Sequence, residues 1–371
     1  MKQEKTKRRS FSIIPYSFCL SFFIPGTSSF SYSSETVAQR LLQRVQSNNQ
    51  AGNATTIPFL VANKAVGNVL PKVARILTDY TSTFSMTPHG LVLLDPKDIN
   101  IDNHLDASLD AAFQESPSDF DEHLLEKRSQ SVEEVLRKIR SQNLIPVLNG
   151  WRDESFAVRE SFHAKPSLIL ERAAAVLFGV PAYGVFLNGY TCEDTVDNIT
   201  NDGIQKQHRP THLWIGRRSS TKATWPGRLD CLVAGGLAAG MLPREAICKE
   251  CSEEAGLCDV APHPVSVVSY TGYNEDRWGI KRDVLFCFDL ELSKDFHPTP
   301  VDGEMESFQK IPIPSIIEML TEPILPDDSN NAWKPNVGVV IIDFLVRHGF
   351  IDVNDVAFLD LVESLRGAKC T

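Results

Sequence analysis

The sequence predicts an α/β protein: a mixed sheet packed by helices, preceded by a smaller α+β domain. Three observations predict it. Apolar runs of strand length recur at 183–190, 213–217, 230–234, 265–270 and 284–292, separated by polar or glycine-bearing turns. Proline opens stretches of helical periodicity at Pro71, Pro243 and Pro312, where its missing N–H costs nothing. Gly235-Gly236 then joins the run at 230–234 to the helix opened by Pro243, and Gly256 closes that helix. Glycine suits the left-handed stop there.

Taken in order, residues 36–46 have helical apolar periodicity and 47–56 form a polar linker. A loosely alternating run at 57–66, a proline-opened helix at 71–80 and a short strand at 91–94 follow. The acid-rich stretch 95–126 reads as an exposed loop. Ser-Val-Glu-Glu from Ser131 resembles a capping box and starts a helix over 131–141. A strand at 144–148 and a helix at 167–177 lead into the second domain. There, strands at 183–190 and 213–217 flank a polar loop over 191–209, and 271–282 is a polar loop near where substrate should lie. Helices at 312–320 and 337–347 complete the chain. The expected division is a leader over 1–35, an N-terminal α+β domain over 36–165, the main α/β domain over 166–325 and a helical extension over 326–371.

A length of 371 residues admits two or three domains, and a hydrophobic fraction of 42% suffices for packed cores. The net charge of −10 argues against a nucleic-acid surface, and no apolar run reaches membrane-spanning length. The expected partner of the mature protein is therefore a small molecule; a homodimer stays open. An anionic substrate would need metal or arginine to approach such a chain. Lys2, Lys5, Lys7, Arg8 and Arg9 precede an apolar run at 13–24, and no acid occurs between Glu4 and Glu35. A basic, apolar, then serine-rich and acid-poor order resembles a signal-plus-transit leader. It points to a plastid, with mitochondrion or cytoplasm as alternatives. The eight cysteines show no disulfide framework. Cys248-x-x-Cys251 falls inside the helix from Pro243, with no second pair, and reads as packing rather than zinc.

That helix carries Glu250, Glu253 and Glu254, spaced i, i+3, i+4, which sets the three carboxylates on one face. Held together they repel, and a divalent cation would offset the repulsion. Magnesium is typically held by a few carboxylates with phosphate oxygens and water. The stretch also resembles the Nudix box, G-x5-E-x7-R-E-U-x-E-E-x-G-U with U aliphatic. Gly235, Glu250, Glu253, Glu254, Gly256 and Leu257 match without a gap, while Met241, Lys249 and Cys251 depart from it. Outside the box, ERAAAVLFGVPAYGVFLNGY, LWIGRRSSTKATWPGRLDCLVAGGL and DGEMESF are similar to the plant and fungal thiamine-pyrophosphokinase-related Nudix proteins. The resemblance implies a Nudix α/β/α sandwich after an additional N-terminal domain. It implies a metal-dependent hydrolase of a small organic diphosphate, thiamine diphosphate or its oxidised analogues, working with Mg2+ or Mn2+.

By that resemblance Glu250, Glu253 and Glu254 are metal ligands, with a Gly235 carbonyl as a further one. Glu253, Glu254 and a glutamate beyond the box, Glu304, are the catalytic candidates. Lys249 replaces an arginine whose job is to hold a glutamate's rotamer. Arg217, Arg218, Lys222 and Arg228 flank Trp225-Pro226-Gly227, a cation cluster beside an aromatic that suits a phosphate-bearing ring. Rival readings are a non-catalytic diphosphate sensor, motivated by Met241 and Lys249, a nucleoside diphosphate derivative hydrolase, and an isopentenyl-diphosphate isomerase-like enzyme. No G-x-x-x-x-G-K-[ST] occurs, which disfavours a kinase.

Overall fold

Helix α1 (Val37–Asn48) starts with a capping box: Gln39 N–H donates to Thr36 Oγ1 at 3.2 Å, and Thr36 N–H donates to Gln39 Oε1 at 2.9 Å. The Thr36 hydroxyl donates to Asp355 (2.8 Å), and Ala38, Leu41 and Val45 are fully buried among C-terminal residues. The helix thus joins the C-terminal layer, although the sequence groups it with the N-terminal strands. The computed structural model describes residues 35–95, 122–200, 203–238, 240–274, 276–323 and 332–367. Nearly all of the expected leader and most of the acidic stretch at 95–126 lie outside them.

The run at 57–66 is a hairpin, β1 (Ile57–Val61) and β2 (Lys64–Val69). Ala62 and Asn63 turn it with φ of +49° and +60°, the backbone hand that matches strand twist. Helix α2 (Pro71–Leu77), β3 (Phe84–Thr87) and β4 (Gly90–Leu93) complete a sheet of order β2-β1-β4-β3. Helix α3 (Glu122–Ser141) packs on this core through Val132, Leu136 and Ile139. Ser131 sits inside that helix with its hydroxyl 3.0 Å from Thr83 Oγ1, so it starts nothing. The expected strand at 144–148 is instead a 3-10 turn, Pro146–Gly150, begun by its proline. The expected helix at 167–177 opens as strand β6 (Leu168–Glu171), paired with β5 (Ser155–Val158). Leu168 and Leu170 are buried two residues apart, and a run so short fits either period. A 3-10 turn, Arg172–Ala174, and α4 (Ala175–Phe178) follow.

The main sheet comprises β7 (Pro181–Thr200), β8 (Gly203–Arg218), β9 (Leu229–Asp230), β10 (Val233–Gly236), β11 (His263–Tyr273), β12 (Ile280–Glu291) and β13 (Met305–Pro312). Its order is β11-β12-β7-β8-β13, with β10 beside β7 and β9 beside β8. Strands β12 and β7 run parallel while their neighbours are antiparallel, so the sheet is mixed as expected. The polar loop expected at 191–209 is mostly strand, because β7 and β8 stay paired from Cys192↔Pro210 out to Thr200↔Gly203. The loop at 271–282 is shorter than expected, since β11 and β12 consume both its ends.

Alternation along β7 and β8 splits the core into two layers. Val185, Leu187 and Trp214 face α5 (Pro243–Ala255) with its Ala246, Ile247 and Cys251. Phe186, Leu213 and Ile215 face α1, α6 (Ile313–Thr321), α7 (Pro335–Arg347) and α8 (Phe358–Ser364). Cys251 is fully buried and its thiol is pushed up to about 12 by burial, which agrees with a packing role.

Two buried carboxylates pin this layer structure. Asp230, fully buried, accepts from Arg218 Nη1 (2.9 Å), Lys334 Nζ (3.0 Å) and the Cys231 N–H (2.9 Å). Asp289 accepts a two-pronged contact from Arg347 (2.6 and 3.1 Å), with His348 and Asn188 each at 3.0 Å. Burial alone would raise both carboxyls. Lys334 and Arg218 outweigh it at Asp230, and His348 and Arg347 at Asp289, so both are held below the usual carboxylate range. Their stabilisation is therefore full above the unfolded-chain value of about 3.9 and is lost as pH falls through the folded values. Unfolding free energy measured in urea against pH should drop below about pH 4, with a shallower slope in Asp289→Asn. Asp230→Asn strands two buried cations and should cost about 3–5 kcal/mol at neutral pH.

Candidate active site

The site forms where β10 ends against the first turns of β7 and the C-terminal half of α5. Gly235 and Gly236 pair with Val185 and Gly184, and the Leu237 N–H extends the ladder to Tyr183 O (2.9 Å). Proline 243 takes the first helical position of α5, and the Leu242 N–H is satisfied by Glu245 Oε2 (3.2 Å). Gly256 stops the helix with φ of +64°, a conformation glycine adopts without strain.

This frame aims two glutamates inward. Glu254 is 1% exposed and accepts from the Ala234 N–H at 2.9 Å. The Glu250 carboxylate lies directly on Gly235, where any side chain would overlap it. From the far side, the turn before β13 brings Asp302 and Glu304. Carboxylate oxygens of Glu254, Asp302 and Glu304 all lie within 4.8 Å of one another. The Asp302 carboxylate also accepts the Glu304 N–H (2.8 Å), and Glu304 O accepts the Ser219 N–H (2.9 Å), which fixes the turn. Asp302 is the residue that sequence reasoning missed; it stands two positions before Glu304, and an Asp-Gly turn gives no ligand signal of its own.

The electrostatics agree with the geometry. Burial pushes Glu254 well up, helped by the charges of Asp230, Glu250 and Glu304. Burial likewise raises Glu250, and the charges of Glu253 and Glu304 add to it. Glu304 goes the other way: burial would raise it, but Lys222 Nζ at 2.6 Å outweighs that and holds it low.

Other expected residues distribute unevenly. Glu253 is exposed and its carboxylate takes the Lys249 ammonium at 2.8 Å, so Lys249 does hold a glutamate in place. Glu253 reaches the cluster through its charge on Glu250 rather than by contact. Lys222 is at the site, on Glu304. Arg218 is a correction: it is 5% exposed, and its donors go to Asp230, Trp225 O (3.0 Å) and Thr224 O (2.8 Å). A buried guanidinium committed to its own loop cannot meet a substrate. Arg217 similarly donates to Gly227 O at 3.0 Å, and Arg228 lies over the Trp225 ring at 5.8 Å. These two contacts shape the 219–228 loop. A second group with metal-ligand chemistry, Cys192, His208 and Glu291, stands well along β7 from Val185 and outside this site.

A match to the NUDIX domain covers residues 202–328, and a domain of unknown function, DUF4743, matches 110–182. Over 316 residues the chain is 36% identical to Nudix hydrolase 20, chloroplastic, of Arabidopsis thaliana, a span of 85% of this chain and 74% of that protein. The chain belongs to the Nudix hydrolase family. Nudix hydrolase 24, chloroplastic, of the same organism is 34% identical over the same shares. Among solved structures, a NUDIX hydrolase from Nitrosomonas europaea is 14% identical over 47% of this chain and 99% of its own, with a TM-score of 0.29. The protein is thus a Nudix-type diphosphate hydrolase, with the Nudix α/β/α fold behind an additional N-terminal domain.

Nudix hydrolases generally use divalent metal ions, and the residues here fit one. A buried, crowded set of hard oxygen donors gains from a divalent cation what it otherwise gains from a proton. Glu250, Glu254, Glu304 and Asp302 would hold it, beside the bare backbone of Gly235. Two variants test the cradle by calorimetric titration with Mn2+. Glu254→Gln should abolish measurable uptake. Gly235→Ala, whose methyl displaces the Glu250 carboxylate, should weaken it about 10–100-fold.

Proposed function

We propose that this Nudix hydrolase cleaves a small organic diphosphate, thiamine diphosphate or an oxidised analogue of it, to the monophosphate and phosphate, with Mg2+ or Mn2+. The observation that carries the reading is the meeting of Glu250, Glu254, Asp302 and Glu304 at the glycine end of β10. A bound divalent cation supplies charge neutralisation of the diphosphate oxygens and orients the reacting phosphoryl group. Within the chain, Glu304 is the group suited to take a proton from the attacking water. The Lys222 ammonium keeps its carboxylate ionised and fixes its direction. So acidic a carboxylate is a weak base, and its contribution is position more than basicity. Gly235 and Gly236 let the backbone approach a phosphate closely. Glu253 completes the charge on the helix face, its rotamer held by Lys249.

The sensor alternative loses its motive in the surroundings of the two departures. Met241 packs against the core under α5, and Lys249 finds Glu253, so neither residue disturbs the cluster. The names of both Arabidopsis relatives support a plastid location for this protein. Among the described residues no helix is long and apolar enough to cross a membrane.

Phosphate release from a panel of diphosphates, including thiamine diphosphate, its oxidised forms and nucleoside diphosphate derivatives, tests the reading with Mg2+ and with Mn2+. The expected result is release from the thiamine class, with kcat lower by about 10²–10⁴-fold in Glu304→Gln and KM little changed. Tight binding of thiamine diphosphate with no turnover in either metal would overturn it in favour of a sensor.

A further inference from the structure

Besides Lys222, a second cation stands near this site without a place in the Nudix box. Arg172 lies past the boundary expected at 165, yet it falls within the stretch that matches the domain of unknown function, and its neighbours Leu168, Leu170 and Ala174 pack in the N-terminal core. Its position is set three times over. The Glu171 carboxylate accepts from Ala173 N–H (3.2 Å) and Arg152 N–H (3.0 Å), capping the 3-10 turn that Arg172 begins. The Arg172 N–H donates to Glu154 O at 2.9 Å, continuing the β5–β6 pairing by one residue. Its guanidinium Nη1 then meets Glu154 Oε2 at 2.5 Å.

From that anchor the guanidinium lies on the backbone of Gly236. A β-carbon built there would stand 2.8 Å from its Cζ and would overlap Nη2. Gly236 thus makes room for the arginine as Gly235 does for the Glu250 carboxylate. Arg172 is also within electrostatic reach of Glu250, and Glu154 within reach of Lys249. The side chains of Arg172 and Glu154 are 43% and 45% exposed, so the cation is reachable from solvent at the lip of the carboxylate cluster. Arg218, by contrast, buries its head among carbonyls. Here Nη1 of a planar five-donor group is taken by Glu154, and Nη2 lies against Gly236, next to the Gly235 on which the Glu250 carboxylate rests. Such a fork suits a phosphate better than an ammonium would.

We infer that Arg172 binds the diphosphate of the substrate, with Glu154 as its positioning residue, so that the N-terminal domain completes the active site of the Nudix domain. This rests on the diphosphate-hydrolase reading and adds to it a role for the additional domain. It also adds a substrate cation that the expected cluster lacks, since Arg217 and Arg218 are engaged in their own loop.

The test uses the full chain and three readouts, of which the third is Mn2+ uptake without ligand. Binding of inorganic pyrophosphate is measured by calorimetry with Mg2+, and KM and kcat are measured on whichever diphosphate the wild type turns over. Arg172→Met should weaken pyrophosphate binding and raise KM about 10–100-fold, with kcat changed far less and Mn2+ uptake without ligand unaltered. Arg172→Lys should recover only part of this loss, because the charge returns without the fork. Glu154→Gln, which keeps Arg172 but loosens its anchor, should give a smaller rise in KM. Pyrophosphate affinity and KM unchanged in both Arg172→Met and Glu154→Gln would overturn the inference, as would loss of Mn2+ uptake in step with KM. If the wild type hydrolyses no diphosphate, the functional reading fails, yet the pyrophosphate titrations still decide whether Arg172 is an anion site.

Discussion

Like charge confined at the end of one short strand is the constraint the rest of this structure answers. Glu250, Glu254, Asp302 and Glu304 come from two segments of chain some fifty residues apart, and Glu254 is almost wholly out of water. A carboxylate in that position is unfavourable by itself, and each neighbour makes it worse. The fold offsets this with donors and cations set around the cluster: the Ala234 N–H on Glu254, Lys222 on Glu304, Lys249 on Glu253 and Arg172 near Glu250. Behind it, Asp230 adds yet another negative charge, and Arg218 with Lys334 neutralises that one locally. The cations differ in depth, with Lys222 between the extremes at 18% exposed. Those in contact with Asp230 are buried and hold the strands together, while Lys249 and Arg172 remain half exposed at the rim.

The parts legible in the sequence were those fixed by local rules. Proline at the first turn and glycine at the left-handed stop gave both ends of α5, and the i, i+4 spacing put Glu250 and Glu254 on one side, while Glu253 turned out to Lys249. The resemblance to the Nudix box added Gly235 as a partner and Glu304 as the acid beyond the helix, and both lie at the cluster. Apolar runs gave the strands whose two faces are buried, since an interior strand must be apolar on both sides.

What failed was whatever tertiary contact decides. The β7–β8 arm is polar in composition, so it read as a loop, yet strand pairing alone carries it through to Gly203. Ser131 looked like a helix start because capping residues are recognised by local pattern, whereas a serine hydroxyl in mid-helix can equally serve a neighbouring loop residue, here Thr83. The run from Ser167 is ambiguous in period over five residues, and only β5 alongside it settles the matter. Cation clusters are the hardest case. Arg217, Arg218 and Arg228 share a stretch with Trp225 exactly as a ring-phosphate site would require by composition, but composition does not say which way a guanidinium turns.

The contrast between Arg218 and Arg172 shows what does say it. Both arginines sit at the end of a strand in the same protein, and both pair with an acid. Arg218 meets Asp230, a carboxylate with no exposed surface, and two backbone carbonyls of its own loop; its donors are consumed in closing that loop over the sheet. Arg172 meets Glu154, itself at the surface, and rests on a glycine whose missing side chain serves no turn and no positive φ. A glycine without a positive φ supplies space rather than flexibility, and the space at Gly236 is filled by a guanidinium near the Glu250 carboxylate. That packing ties the β5–β6 hairpin to strand β10 beside the carboxylate cluster, and if Arg172 binds substrate as inferred, it gives a physical reason for the two parts to share one chain.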